Sequence, residues 1–171
     1  MQNKRGDKGR KAQFQLSFGM IFSIILIIVF LGFAFYAIKT FLSFQDSAKS
    51  GRFFDGLQED IDRIWRSSQS SENQEYVIPG YANFVCFVDF SSEATGANAV
   101  FYSELKRADY GDENLVFYPV KFTGFESTAI EHINMAETTE EENPLCIETA
   151  NGRVALSLKK NFGEALVTVS R

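Results

Sequence analysis

Histidine and cysteine are scarce in this 171-residue chain, which contains one histidine and two cysteines. Hydrolysis and phosphoryl transfer need reactive side chains at fixed spacings, and the sequence has no Walker loop, G-x-G-x-x-G, H-E-x-x-H or G-x-S-x-G motif. A metal site would have to depend on carboxylates, because His132 has no second histidine to join it. We therefore predict no catalytic residue, no cofactor and no metal ion, and expect that the chain is not an enzyme.

Carboxylates are plentiful, and two stretches concentrate them. Asp109 to Asn114 reads DYGDEN, and oxygen ligands on a loop that contains glycine suit calcium. The stretch lacks the D-x-D-x-D-G order of a specific calcium loop, so an ordinary polar loop is the favoured interpretation and calcium is the alternative. The second stretch, Glu137 to Glu142, precedes Pro144 and is predicted to be a solvated loop.

Charge is absent from a long stretch near the N-terminus, between Phe14 and Ile38. As a helix these residues would extend roughly 37 Å, enough to cross a hydrocarbon core of about 30 Å. A small soluble domain could not surround such a helix on every side. A cleaved secretory signal is an alternative, but its apolar region spans only about 7 to 15 residues. We therefore predict a retained transmembrane helix over residues 13–44.

The charges on the two sides of this apolar stretch have opposite signs. Residues 1–12 carry five basic residues and one acidic residue, a net charge of +4, whereas residues 39–171 carry 12 basic and 21 acidic residues, a net charge of −9. Basic segments beside a transmembrane helix tend to stay in the cytoplasm. We predict a cytoplasmic leader over residues 1–12 and an extracytoplasmic C-terminal domain on a single-pass protein of the cell membrane. The expected partner of the chain is the lipid bilayer, and the basic leader is not expected to bind nucleic acid.

Hydrophobic residues recur at three- and four-residue spacing beyond the apolar stretch. This spacing predicts an amphipathic helix over residues 45–72 that continues the transmembrane helix and packs on the domain that follows. The helix as a whole is predicted to run from about Phe14 to Arg66, and the polar run from Ser67 to Asn73 is expected to end it. The residues of the apolar face are Phe53, Leu57, Ile61, Ile64 and Trp65.

Strand signals dominate residues 73–171. Runs rich in β-branched and aromatic residues predict strands, and Asn151-Gly152 between two of them predicts a hairpin with a type I′ turn. A short helix is predicted over Ala97 to Ala108. The fold class is therefore α+β: a long N-terminal helix, transmembrane and then amphipathic, packed on a small, mainly antiparallel β-sheet domain. The predicted strands are Phe84 to Phe90, Leu115 to Val120, Ile130 to Met135, Leu145 to Thr149, Val154 to Leu158 and Ala165 to Val169.

The two cysteines, Cys86 and Cys146, both belong to the predicted extracytoplasmic domain. Disulfides persist in oxidising compartments, and a bridge that closes a long loop stabilises a small domain by up to about 4 kcal/mol in the chain-entropy model. A disulfide is the favoured interpretation, and two buried thiols are the alternative. No C-x-x-C motif is present, so redox catalysis and zinc binding are not expected.

The short basic leader, the segment Lys11-Ala12-Gln13, the long apolar helix and the strand-rich domain with its cysteine pair together resemble archaeal type IV pilin-like proteins. The resemblance implies that a prepilin-type peptidase cuts between Ala12 and Gln13. It also implies that the apolar helix packs with copies of the chain or with other pilin-like subunits. Many family members have a glutamate at the fifth mature position, where this sequence has Ser17.

The apolar helix itself carries a weak packing pattern. Phe14, Phe18 and Phe22 lie one turn apart, and Gly19 with Ser23 forms a small-xxx-small pair that would let a second helix approach. Phenylalanines that face lipid are the alternative interpretation. The predicted function is a membrane-anchored, pilin-like structural subunit or minor pilin of the cell surface. The alternative is a signal-anchored extracytoplasmic binding domain with no role in filaments.

Overall fold

The computed structural model describes residues 18–109, 111–121 and 126–171. The predicted leader, with Ala12, Gln13 and Phe14, lies outside the described residues. Two compact units divide the chain, one ending at Phe41 and one spanning Leu42–Arg171. In the described part of the first unit, residues 18–41 are helical throughout. The predicted fold class, a long N-terminal helix with antiparallel sheets in a mixed α+β arrangement, is confirmed.

The first helix, α1, spans Phe18–Trp65. In the second unit its apolar face enters the core, where Phe53, Leu57 and Ile61 are buried as the spacing predicted. Burying one such side chain stabilises a fold by roughly 1.5–3 kcal/mol before the loss of entropy is counted. The helix ends at Trp65, next to the predicted end at Arg66, whereas the segment boundary at residue 72 is wrong, because the polar residues Ser70–Val77 form a strand, β1.

The strands of the described chain form two antiparallel sheets. The first has the order β1, β6, β7, where β6 is Arg153–Lys160 and β7 is Thr168–Ser170. Strand β1 pairs with β6 along its whole length, from Ser70 opposite Lys160 to Val77 opposite Arg153. Side chains of β6 alternate between the core and solvent, as in a strand with one covered face.

The second sheet has the order β4, β3, β2, β5. Neighbouring strands of this sheet are antiparallel. The strands predicted over residues 84–90, 115–120 and 145–149 are present as β2, β3 and β5, and each is shorter than predicted. The bounds are Phe84–Phe87 for β2, Leu115–Tyr118 for β3, Ser127–Thr128 for β4 and Leu145–Glu148 for β5.

Two hydrophobic clusters hold the second unit together. The larger one joins the apolar face of α1 to both sheets, with Phe53 of α1 against Phe117 of β3 at a ring-centroid distance of 5.4 Å. The smaller one lies among the second sheet and a helical segment over residues 97–108, where Leu105 and Ala108 are fully buried. That segment comprises Ala97–Phe101, α2 at Tyr102–Leu105, and Lys106–Ala108, which agrees with the short helix predicted there.

At one turn and at one helix start, the local side chains determine the backbone conformation. Asn151 and Gly152 have φ values of 53° and 71°, as the predicted type I′ turn requires, and Ala150 and Arg153 form a bridge across it. The predicted hairpin is wrong, because the strands beside the turn belong to different sheets: β5 pairs with β2, whereas β6 pairs with β1 and β7. The predicted strand over Ile130 to Met135 is wrong. Only Ile133 makes a bridge there, to Val167, and Asn134 instead caps α3, Met135–Thr138, by accepting from the backbone N–H of Glu137.

Candidate functional site

The part of α1 in the first unit is the most unusual surface of the described chain. Near the N-terminus, α1 is long and apolar enough to cross a membrane, and its most apolar stretch has a mean hydropathy of 2.8 with none of it buried. Soluble domains rarely leave such a contiguous apolar surface uncovered. By its length and composition, this part of α1 is therefore a candidate membrane span.

Hydroxyl groups on this helix are satisfied inside it. Ser23 Oγ donates to the carbonyl oxygen of Gly19 at 2.8 Å, and Thr40 Oγ1 donates to that of Tyr36 at 3.0 Å. A hydroxyl without a partner would cost several kcal/mol in hydrocarbon, so these internal bonds suit a helix that meets no water.

The predicted helix-packing residues are all on the exposed surface of the helix where the structure describes them. Phe18 is 84% exposed and Phe22 is 54% exposed. Gly19 and Ser23 are exposed as well, one turn apart on a single face. Phe14 lies outside the described residues. The small pair is thus available to a neighbouring helix, although Ser23 already uses its hydroxyl within α1.

The two cysteines are joined in the second unit. Cys86 and Cys146 form a disulfide and lie directly opposite each other on β2 and β5. Both side chains are buried in the smaller hydrophobic cluster. The bridge links strands that are 60 residues apart in sequence, and it ties β5 to the middle of the second sheet.

The single histidine lies on a loop and not on a strand. The ring of His132 stacks on Trp65 at the end of α1 with ring centroids 3.8 Å apart. Its Nδ1 lies 3.0 Å from Oδ1 of Asp62, and because a carboxylate only accepts, the imidazole N–H is the donor. Hydrogen bonds from His132, and then from Gln58, hold the pKa of Asp62 below its ordinary value. The sequence pattern did not reveal this contact.

Two side chains of the acidic DYGDEN stretch form hydrogen bonds with the backbone. Asp109 accepts from the backbone N–H of Gly111 at 2.9 Å. The side chain of Asn114 exchanges two hydrogen bonds with the backbone of Ile130. Within residues 18–109, 111–121 and 126–171, no three histidine, cysteine or acidic side chains are grouped so that they could hold a metal ion.

A network of charged and polar side chains joins α1 to β1. Arg63 donates to both carboxylate oxygens of Glu72, at 2.6 and 2.8 Å, and to Asp60 at 2.7 Å. The hydroxyl of Tyr76 donates to the other oxygen of Asp60. The bonds from Arg63 lower the pKa of Glu72, whereas burial, followed by the bond to Asp60, raises the pKa of Tyr76. Sequence reasoning missed these contacts because it placed no strand at Glu72.

An acidic groove of about 420 Å³ lies beside β7. Four glutamates contribute to its lining, and one of them, Glu142, forms an ion pair with Arg171. The four glutamates are Glu137, Glu140, Glu141 and Glu142.

Comparisons with known proteins add no assignment: no protein family model, no curated protein and no solved structure matches this chain.

Proposed function

We propose that this chain is a single-pass, pilin-like structural subunit or minor pilin of an archaeal-type cell surface. In this proposal the N-terminus lies in the cytoplasm, α1 anchors the chain in the membrane, and the disulfide-bonded second unit lies outside. Prepilin-type peptidase cuts after Ala12, and the helix that begins near Gln13 then packs with copies of the chain or with related subunits.

The observation that carries the proposal is the dual composition of α1. One helix of 48 residues supplies an uncovered apolar surface in the first unit and the buried residues Phe53, Leu57 and Ile61 in the second. A pilin-like subunit needs such a helix, because its apolar half must be soluble in lipid before assembly and must contact other helices afterwards. The other half must hold a folded domain outside the membrane.

The charge distribution and the cysteines support the proposed orientation. The leader has a net charge of +4, and basic residues tend to remain in the cytoplasm. The disulfide between Cys86 and Cys146 belongs to the second unit, and disulfides persist in oxidising compartments. Both features favour an extracytoplasmic second unit.

The orientation is tested by adding protease to intact cells. Proteolysis of the second unit with protection of the N-terminal segment is the expected result. Protection of the whole chain until the cells are lysed would overturn the orientation, and with it both candidate functions.

Assembly is tested by cysteine cross-linking in native membranes. Gly19→Cys places a thiol on the face of the small pair, and Ile21→Cys is the matched control, because two residues rotate a helix position by about 200°. The proposal predicts covalent dimers for the Gly19 variant and few for the control. Equal yields from the two variants would contradict packing through this face.

A second candidate is a signal-anchored extracytoplasmic binding domain with no role in filaments. One observation favours it: Ser17 occupies the position at which many pilin-like proteins have a glutamate, and no acidic residue lies between Ala12 and Phe44. Such a carboxylate is thought to pair with the new amino terminus of a neighbouring subunit in that family. An intact leader and no cross-linking through α1 would favour this candidate over the first.

A further inference from the structure

Strand β1 forms an edge of the first sheet. It is eight residues long and stands at the end of the order β1, β6, β7, so none of the described residues pairs with it on its other side. Natural edge strands are commonly protected by proline, lysine, a bulge or short length. The sequence SSENQEYV of β1 has no proline or lysine, and its pairing with β6 is continuous.

The backbone groups at this edge can be assigned from one hydrogen bond. Ile78 N donates to the carbonyl oxygen of Gly152, and the two residues continue the register of Val77 opposite Arg153. Because hydrogen-bonded and non-bonded pairs alternate in an antiparallel ladder, the even-numbered residues of β1 direct their backbone groups to β6. The odd-numbered residues direct theirs to the open edge. These are Ser71, Asn73, Glu75 and Val77, and all four are exposed.

The two carboxylates of β1 do not make this edge repulsive. Glu72 is held by both bonds from Arg63 of α1, and Glu75 receives a bond of 2.7 Å from Arg153 of β6. Each negative charge is therefore opposed by an arginine of the same chain. A second strand that approaches the edge therefore meets carboxylates that are already held by arginines of the same chain.

We propose that β1 is a self-association surface, on which β1 of a second copy pairs in antiparallel orientation to join the two three-stranded sheets. A two-fold axis perpendicular to the sheet keeps side chains of one face opposite side chains of the same face. The register centred on Gln74 brings all four outward-directed residues opposite partners: Ser71 opposite Val77, and Asn73 opposite Glu75.

Pairing and charge together select this register: an axis at Asn73 would place Val77 opposite Gln69, which lies outside β1. With the axis at Gln74, Glu72 lies opposite Tyr76 and Gln74 lies opposite its own copy, whose amide can both donate and accept. An axis at Glu72 or at Glu75 would place two glutamates directly opposite each other, and like charges in that position are destabilising.

The pairing has a consequence for the direction of the two copies. Strand β1 runs antiparallel to the last turns of α1, because Arg63 contacts Glu72 whereas Asp60 contacts Tyr76. The two-fold axis therefore reverses the second-unit segment of α1 in the partner copy. The surface joins copies that point in opposite directions, and it is distinct from the proposed packing of α1 in the membrane.

The test is disulfide cross-linking of the full chain in detergent micelles, where no membrane restricts orientation. Non-bonded antiparallel pairs have Cα atoms about 4.5 Å apart, within the range that a disulfide spans. Gln74→Cys is therefore expected to give a covalent dimer on mild oxidation. Lys159→Cys is the matched control, because Lys159 is exposed on β6 of the same sheet but lies between Ser71 of β1 and Thr168 of β7.

A second variant shows whether the dimer depends on the edge. Asn73→Pro in the Gln74→Cys background removes an outward N–H and no bond to β6, so the fold is retained, as near-ultraviolet circular dichroism can verify. The covalent dimer is expected to be lost. Equal dimer yields for Gln74→Cys and Lys159→Cys, or a dimer that persists with Asn73→Pro, would overturn the proposal. Failure of the pilin proposal is read separately, from leader cleavage and from cross-linking at Gly19.

Discussion

Trp65 and His132 stack with ring planes 9° apart, and this contact holds the loop after β4 against the last turn of α1. Gln58 adds to the attachment, because its Oε1 accepts from the backbone N–H of Glu131 at 2.8 Å. The end of the long helix is thus fixed by a side chain that sequence patterns had left without a role.

Replacing His132 by alanine should lower the free energy of unfolding by about 0.5–1.5 kcal/mol, the range for stacked ring pairs. Urea unfolding in detergent, followed by the fluorescence of Trp65, is the measurement, since Trp65 is the sole tryptophan. His132→Phe is the control that keeps the stack and removes the bond to Asp62. An alanine variant as stable as the unchanged protein would refute the structural role of the stack.

Lys160 should contribute more to the free energy of unfolding than its neighbour Lys159. Lys160 is 8% exposed, and its Nζ donates to the carbonyl oxygens of Trp65 and Ser67, where α1 ends and positive charge is favoured. Lys160→Met should cost about 1–3 kcal/mol, because two part-buried hydrogen bonds from a charged group are lost. Lys159→Met, on the exposed face, should stay within about 0.5 kcal/mol. Equal losses in urea unfolding would contradict this assignment.

Removal of the disulfide should destabilise the second unit. The double change Cys86→Ala and Cys146→Ala is expected to cost about 2–4 kcal/mol, because the unfolded chain gains the freedom of a long loop. Thermal unfolding of the two proteins in the same detergent measures the loss. As a direct check on the bridge, both cysteines should resist alkylation until a reductant is added, and equal labelling without reductant would exclude the bond.

Acid should weaken the second unit partly through Asp89. The hydroxyl of Ser91 and then that of Ser92 donate to this carboxylate, both at 2.6 Å, and these bonds lower the pKa of Asp89. A carboxyl group with a lowered folded pKa contributes stability above its unfolded pKa of about 3.9 and loses it as the pH falls through the folded value. Asp89→Asn should therefore destabilise the protein near pH 6 and have a smaller effect near pH 2.

The control for this acid dependence is Glu59→Gln on the exposed face of α1. It should leave the difference in unfolding free energy between pH 6 and pH 2 close to that of the unchanged protein. The same acid dependence in the Asp89 variant and the unchanged protein would show that this carboxylate does not contribute.

Sequence reasoning succeeded where apolar residues recur at a fixed spacing and where a turn requires residues that tolerate positive φ values. The spacing of Phe53, Leu57 and Ile61 predicted the buried face of α1, since core contacts recur with the helical period. The pair Asn151-Gly152 predicted a tight turn, because both residues tolerate the positive φ values that the turn needs, but it did not predict that the strands beside the turn join different sheets.

It failed where tertiary contacts decide the local structure. Strand β1 has no alternation of apolar residues that could reveal it in the sequence. It is an edge strand, held by its pairing with β6 and by the contacts of Glu72 and Tyr76 with α1. The segment around His132 has strand-forming residues, but the stack on Trp65 and the cap from Asn134 hold it as a loop and a helix start. Neither contact leaves a signal at fixed spacing in the sequence.

The central proposal is tested most directly by the mass of the N-terminal peptide, isolated from native membranes and measured by mass spectrometry. Processing of a pilin-like subunit predicts a mature chain that begins at Gln13, with α1 retained in the membrane fraction. A membrane-bound chain that still begins at Met1 or Gln2 would contradict the pilin-like assignment.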